Sequence, residues 1–213
     1  MFIGLPMRDD ARPETKRMIS GLQGRLGIVK GCPWVDIART EIVELFLASG
    51  EAELLFVDAD NWTDVETIAA MRTAGAAIIT CTYRKRIPPH IWCMQPLEGK
   101  HPRLAPMRTV DGKRIIEIES DGMGCCLIQR HVIETMVAKH PELDYVADDG
   151  TARHWLFQPF IALDHTGVRR PAGDDRAFFL RARAAGFKVE CLVDATVFHD
   201  GIEGRLADVF KDP

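Results

Sequence analysis

Apolar runs alternate with amphipathic stretches along this chain, the pattern of a sheet with helices on both faces. Residues 2–5 predict a first strand, ended by Pro6, and residues 26–29 a second strand before Gly31, with a helix over about 13–22 between them. Ala38, Ile42, Leu45 and Phe46 recur at helical spacing and predict a helix that Gly50 closes. Leu54, Leu55, Phe56 and Val57 are too few for a helix of their own and suit the interior of a parallel sheet. Thr63 followed by Glu66 is a capping-box pattern at the head of a helix carrying Val65, Ile68, Ala69 and Met71. A strand over 77–82 follows, and then residues 84–106, rich in Pro, Arg and His, read as a long functional loop. The second half predicts a strand over 115–118 and a helix that includes Ile128, Val132, Ile133 and Met136. A further helix with Phe178, Phe179 and Leu180 ends at Gly186, and an apolar run covers 189–198.

The strand over 54–57 ends abruptly in Asp58-Ala59-Asp60. Two carboxylates in a strand-to-helix turn lie at the carboxyl end of a strand, where open α/β sheets place their ligands. Hard oxygen donors in that place suit Mg²⁺ or Mn²⁺, with substrate phosphates completing the shell.

Composition narrows the class without choosing a function. The 213 residues suffice for one α/β domain over 1–213 with a full core. A net charge of -4 argues against bulk electrostatic binding to nucleic acid. The six cysteines form no Cys-x-x-Cys pair, and several lie in apolar segments, which reads as a reducing, cytoplasmic compartment. The opening residues are too short for a signal peptide, and no apolar run reaches membrane-spanning length.

Three features of the second half carry chemistry. Asp121-Gly122-Met123-Gly124 is a glycine-bearing turn that permits close approach to the backbone. Gly173-Asp174-Asp175 opens a helix with two carboxylates in its first turn. His199 closes the last apolar run. In this order, Asp58-x-Asp60, Gly122-Met123-Gly124, Gly173-Asp174-Asp175 with Phe178-Phe179 and Arg181-Ala182-x-x-x-Gly186, and His199 resemble the GT-A-fold glycosyltransferases, in particular the large inverting family 2 group and its short bacterial and phage relatives. Asp174 stands where that pattern usually has Glu.

The resemblance implies a GT-A, Rossmann-like three-layer sandwich with a mostly parallel central sheet and a small antiparallel part. Residues 1–82 would be the nucleotide-sugar-binding half and residues 106–201 the acceptor and catalytic half. It implies transfer of a sugar from a UDP- or GDP-linked donor to an acceptor hydroxyl, with Mn²⁺ or Mg²⁺ held by Asp60, Asp58 and His199. Asp175 would act as general base in an inverting reaction, with Asp174 as orienter or alternate. Pro6, Met7 and Arg8 would border the nucleoside, with Asp58 a metal ligand or ribose contact. Arg39 and the Arg84-Lys85-Arg86 cluster would touch the diphosphate. Asp121, Gly122, Met123, Gly124 and Trp155 would line the acceptor site.

Two rivals share these motifs. Haloacid-dehalogenase-like phosphatases also present Asp-x-Asp after a strand and a late Gly-Asp-Asp, with the first aspartate as nucleophile. They need a lysine shortly before the second motif, and none lies between Lys139 and Lys188. The other is a sugar- or nucleotide-binding module on the same scaffold without turnover.

Overall fold

Leu54, Leu55, Phe56 and Val57 are all buried, as a strand covered on both faces requires. The computed structural model describes residues 1–211. Its first half runs β1 (Phe2–Met7), α1 (Pro13–Ser20), β2 (Arg25–Lys30), α2 (Val35–Ser49), β3 (Glu53–Val57), β4 (Asn61–Trp62), α3 (Val65–Thr73) and β5 (Ile78–Thr80). Then come β6 (Gln95–Pro96), β7 (Met107–Val110), β8 (Lys113–Ser120), β9 (Cys125–Gln129) and α4 (Arg130–Lys139). The hairpins β10 (Asp144–Val146) with β11 (Ala152–His154) and β12 (Phe160–Leu163) with β13 (Arg169–Ala172) precede α5 (Asp174–Ala184). The chain closes with β14 (Val189–Leu192), β15 (Thr196–His199) and β16 (Ile202–Arg205).

Nine strands form one sheet in the order β2-β1-β3-β9-β5-β14-β8-β6, with β7 also on β8. Alternation sorts the side chains. Phe2, Leu54, Phe56, Cys126 and Ile128 face a core shared with α2, α4 and α5. Ile3, Leu55, Val57, Cys125 and Leu127 face a second core that takes Met18 of α1 and Ile68 and Met71 of α3.

The fold is therefore α/β, but its sheet is mixed rather than mostly parallel. The pairs β1–β2, β1–β3 and β5–β14 are parallel, whereas β9 runs antiparallel between β3 and β5, and β8 is antiparallel to β14, β6 and β7. Ile128 belongs to β9 and not to the helix assigned to it by periodicity. The cause is local: β9 passes from Gln129 straight into α4 at Arg130, without the Gly or Pro that separates elements elsewhere.

Smaller differences have equally local causes. Pro6 does not end β1. The carbonyls of Met1 and Met7 accept from Arg25 and Gly31 on the β2 side, so alternation turns the missing N–H of Pro6 toward β3, where pairing has already stopped at Gly4. Asp64, not Thr63, caps α3 by accepting from the Thr67 amide at 2.5 Å. The Thr63 hydroxyl donates instead to the Thr196 carbonyl. The apolar run over 189–198 divides into β14, in the large sheet, and β15, in a separate three-stranded sheet with β4 and β16. That small sheet sets His199 opposite Asn61, the residue after Asp60.

The turn between β8 and β9 is packed as tightly as its glycines suggest, by protein rather than ligand. A Cβ on Gly122 would lie 2.2 Å from the Tyr83 hydroxyl, and one on Gly124 2.3 Å from Asn61 Nδ2. Gly122→Ala is expected to destabilise the fold by about 1–3 kcal/mol through overpacking, read as a lower urea midpoint. An unchanged midpoint would mean that Tyr83 yields freely.

Candidate functional site

Helix α2 buries the stripe Ala38, Arg39, Ile42, Val43 and Phe46. One member of this apolar stripe is an arginine, only 2 % exposed. Its Nη2 donates to both oxygens of Asp58 at 3.1 and 3.2 Å, and its Nη1 donates to Asp174 and Asp175. A single guanidinium thus ties the end of β3 to the head of α5. Burial works against the Arg39 charge, but the carboxylates of Asp175, Asp58 and Asp174 outweigh it and raise the pKa. Asp175 is pushed up to about 7, first by desolvation and then by Asp174 and Asp58, against the opposing pull of Arg39 and the Met123 amide. Three carboxylates round one cation are a net negative cluster, so one of them holds its proton unusually long.

The second assembly is built on Asp60. His199 reaches it from β15, with Nε2 3.6 Å from Asp60 Oδ2, and Arg86 Nη1 lies 3.0 Å from the same oxygen. His199 Nδ1 is 2.8 Å from the Arg84 carbonyl, which can only accept, so Nδ1 carries the proton and Nε2 is the atom turned to Asp60. Burial penalises both charges, but the pairing prevails. Asp60 is held below the usual carboxylate range by His199 and Arg86, and His199 is raised by Asp60 and the Arg84 carbonyl.

A cleft of about 720 Å³ is bordered by Asp58 of the first assembly and by Asp60 and Arg86 of the second, whereas Asp174, Asp175 and His199 do not line it. Pro6, Met7 and Arg8 line it from the end of β1, Cys32, Pro33 and Val35 from the turn into α2, and Asp58, Ala59 and Asp60 from the end of β3. A cleft of this size at strand ends is where open α/β sheets place small-molecule ligands. Among the described residues no three His, Cys, Asp or Glu side chains form a ready-made metal cluster. Asp60 and His199 with Asp58 nearby suit a cation that one or two carboxylates share with phosphate oxygens, which is the usual manner of Mg²⁺.

Other sequence candidates lie elsewhere. Arg39 sits beneath the cleft rather than on its wall. Arg84 stacks on Trp92 at 4.5 Å and donates to the His90 carbonyl, and neither it nor Lys85 lines the cleft; Arg86 does. Asp121, Gly122, Met123 and Gly124, expected at the acceptor site, are all buried. The Tyr83 hydroxyl covers the turn, accepting from the Gly124 amide at 3.1 Å. Asp121 accepts from Thr80, Thr82 and the Gly122 amide, and burial pushes it up to about 7 in spite of them. Trp155 is half-buried and donates to Asp36 in the first turn of α2. Arg12 and Asp200, which pair across the cleft, carried no sequence signal beyond proximity to Pro13 and His199.

No protein-family model and no curated protein sequence matches the chain. Its structure is similar to the crystal structure of A197 from STIV, with a TM-score of 0.56 and 14% sequence identity over 93% of this chain and 84% of that one. A UDP-glucose pyrophosphorylase complexed with UDP-glucose aligns at a TM-score of 0.41 and 8% identity, over 88% of this chain and 64% of that one. The likeness to A197 is one of fold.

Arg39→Met is expected to cost about 3–5 kcal/mol at pH 8, because it leaves three carboxylates without their cation. Loss of the cation raises the folded-state carboxylate pKa values further. The penalty is therefore absent below the unfolded-state values and grows as pH rises through neutrality. Denaturant unfolding at pH 5 and pH 8 measures it, and equal penalties at both would contradict the charge account.

Proposed function

We propose that the protein is a nucleotide-sugar-dependent glycosyltransferase of GT-A type, a single domain over residues 1–213 using Mn²⁺ or Mg²⁺. The observation that carries this reading is the convergence of His199, from a distant part of the chain, on Asp60, which lines the cleft that the ends of β1 and β3 border. Residues 1–82 would hold a UDP- or GDP-linked donor along Pro6, Met7 and Arg8. The divalent ion, when bound, supplies Lewis-acid stabilisation of the departing diphosphate.

The chain's own residues do the rest. Asp60 and His199 would hold the ion, and Asp58, two residues before Asp60, is fixed by Arg39. The acceptor hydroxyl is a poor nucleophile until a base takes its proton. Arg39 donates to Oδ1 of Asp175, whose carboxylate would take that proton, with Asp174 on the same Nη1 as orienter. Asp175 is thereby one guanidinium away from Asp58, which brings the base and the donor floor into a single charge network. The acceptor would approach over the head of α5 and Trp155. A phosphatase would instead need Asp58 as nucleophile, and both of its oxygens face Arg39 Nη2.

Calorimetry and donor-hydrolysis assays with Mn²⁺ test the reading. Mn²⁺ and UDP or GDP are expected to bind cooperatively, with Asp60→Ala and His199→Ala each losing the metal-dependent part while the fold survives. Diphosphate affinity indifferent to metal would sink it, and binding with no turnover on any acceptor would favour a binding module.

The pH profile is a separate test. Asp175 must be ionised to accept a proton, so transfer should rise with pH through about 7 and then level off. Asp175→Asn should lower the rate on the order of 10²- to 10⁴-fold with donor affinity kept. If Asp174→Asn does this and Asp175→Asn does not, the base is Asp174.

A further inference from the structure

We infer that Arg12 and Arg86 are the phosphate-binding cations of the cleft, held on Asp200 and Asp60 until a divalent cation and a diphosphate enter together and the four side chains exchange partners. The inference rests on the reading of the cleft as a diphosphate site. It adds Arg12 and Asp200, and it assigns each arginine two successive partners.

The geometry sets up the exchange. Arg86 pairs with Asp60, and Arg12 with Asp200, and all four residues line the one cleft. Their backbones are tied together. The Arg12 amide donates to the Ala59 carbonyl and the Asp200 amide to the Asp60 carbonyl, each at 2.8 Å. Asp200 holds a left-handed φ of 51°, followed by Gly201 at 87°, so the turn that presents its carboxylate is specifically shaped. The carboxylates are the anchored partners, with side chains 26 % exposed for Asp60 and 31 % for Asp200, whereas Arg86 is 57 % and Arg12 55 % exposed. Exposed ion pairs contribute little to stability, so swinging two long arginine side chains away costs little.

Charge makes the exchange conditional. The cleft lining includes Arg8, Arg12 and Arg86 against Asp9, Asp10, Asp58, Asp60 and Asp200, three positive groups against five negative. A bare diphosphate would meet an excess of carboxylates. A divalent ion drawn to Asp60 and His199, next to Asp200, would lower that repulsion and compete with both guanidiniums, whose planar donors match phosphate oxygens bidentately.

Calorimetry on the full chain with Mn²⁺ alone, Mn²⁺ with inorganic pyrophosphate, and Mn²⁺ with UDP or GDP tests the exchange. Arg12→Ala and Arg86→Ala should each bind Mn²⁺ alone more tightly, because a competing cation has gone. Each should also bind pyrophosphate in the presence of Mn²⁺ more weakly, on the order of 10- to 100-fold. Opposite signs for the two ligands support the inference. Weaker binding of both, or unchanged pyrophosphate affinity in either variant, overturns it, as does a wild-type protein that binds no pyrophosphate with Mn²⁺. The pyrophosphate arm contains no nucleoside, so its outcome is separable from the donor reading. If UDP and GDP bind no better than pyrophosphate, the nucleotide-sugar reading fails while the exchange stands.

Discussion

The arrangement depends on one buried cation. Arg39 joins three segments that are distant in sequence: its own helix α2, the end of β3 through Asp58, and the head of α5 through Asp174 and Asp175. Desolvating a guanidinium is costly, and only close carboxylates make it tolerable. Once those carboxylates are there they repel one another, and among the described residues no second cation touches them. The cluster is overcharged by design of its composition, which is why Asp175 moves toward neutrality rather than away from it. A group poised in this way is suited to proton transfer, and the same network holds it in register with the strand end that faces the cleft.

The sheet explains how the two ends of that network come together. Strands β3 and β5 would be neighbours in a simple parallel sheet, but β9 separates them and runs the other way. Its insertion brings the buried turn over 121–124 up against the end of β3, where the Asp58 amide donates to the Gly124 carbonyl. Tyr83 and Asn61 fill the space that the two glycines leave open. Asn61 is fully buried with neither amide atom paired to protein, a cost that persists in a fold only where the surroundings impose it. The glycines therefore serve to let the cleft floor be seated closely on the turn behind it.

Much of this was legible in the residues, and what was not shares a physical cause. Buried strand β3 and helix α3 announce themselves because burial on both faces leaves an unbroken apolar run and a cap follows at once. Strand β9 does not, because Cys125 to Gln129 lead into a helix with no punctuation and periodicity alone cannot divide the two. Arg39 stands out as a charge on an apolar stripe, which is a signal that it is paired. Its partners are invisible, since nothing local in residues 174–175 says which helix they pack against. The glycines of 122 and 124 correctly mark a close approach, but a sequence does not say whether ligand or side chain approaches. Only the resemblance set His199 with Asp60; nothing in the neighbouring residues does so, because the register of β15 on β4 is a tertiary feature.

The two assemblies differ in a manner that bears on what each can do. Around Arg39 the cation is buried and permanent, so the carboxylates it holds are fixed in place and vary only in protonation. Around Asp60 the protein's cations are one exposed arginine, Arg86, and a histidine with one nitrogen already committed, so the carboxylate is fixed while its partners can leave. A permanent cation organises; a replaceable one marks a place where a ligand can compete. Asp58 stands between the two, belonging to the fixed set through Arg39 and to the open cleft through its position at the end of β3. A positive ligand arriving at the cleft floor would be felt by Asp58 first and, through the shared guanidinium, by Asp175. Binding on one side of the sheet edge is thereby coupled electrostatically to the proton affinity of the carboxylate on the other, with no movement of the backbone required.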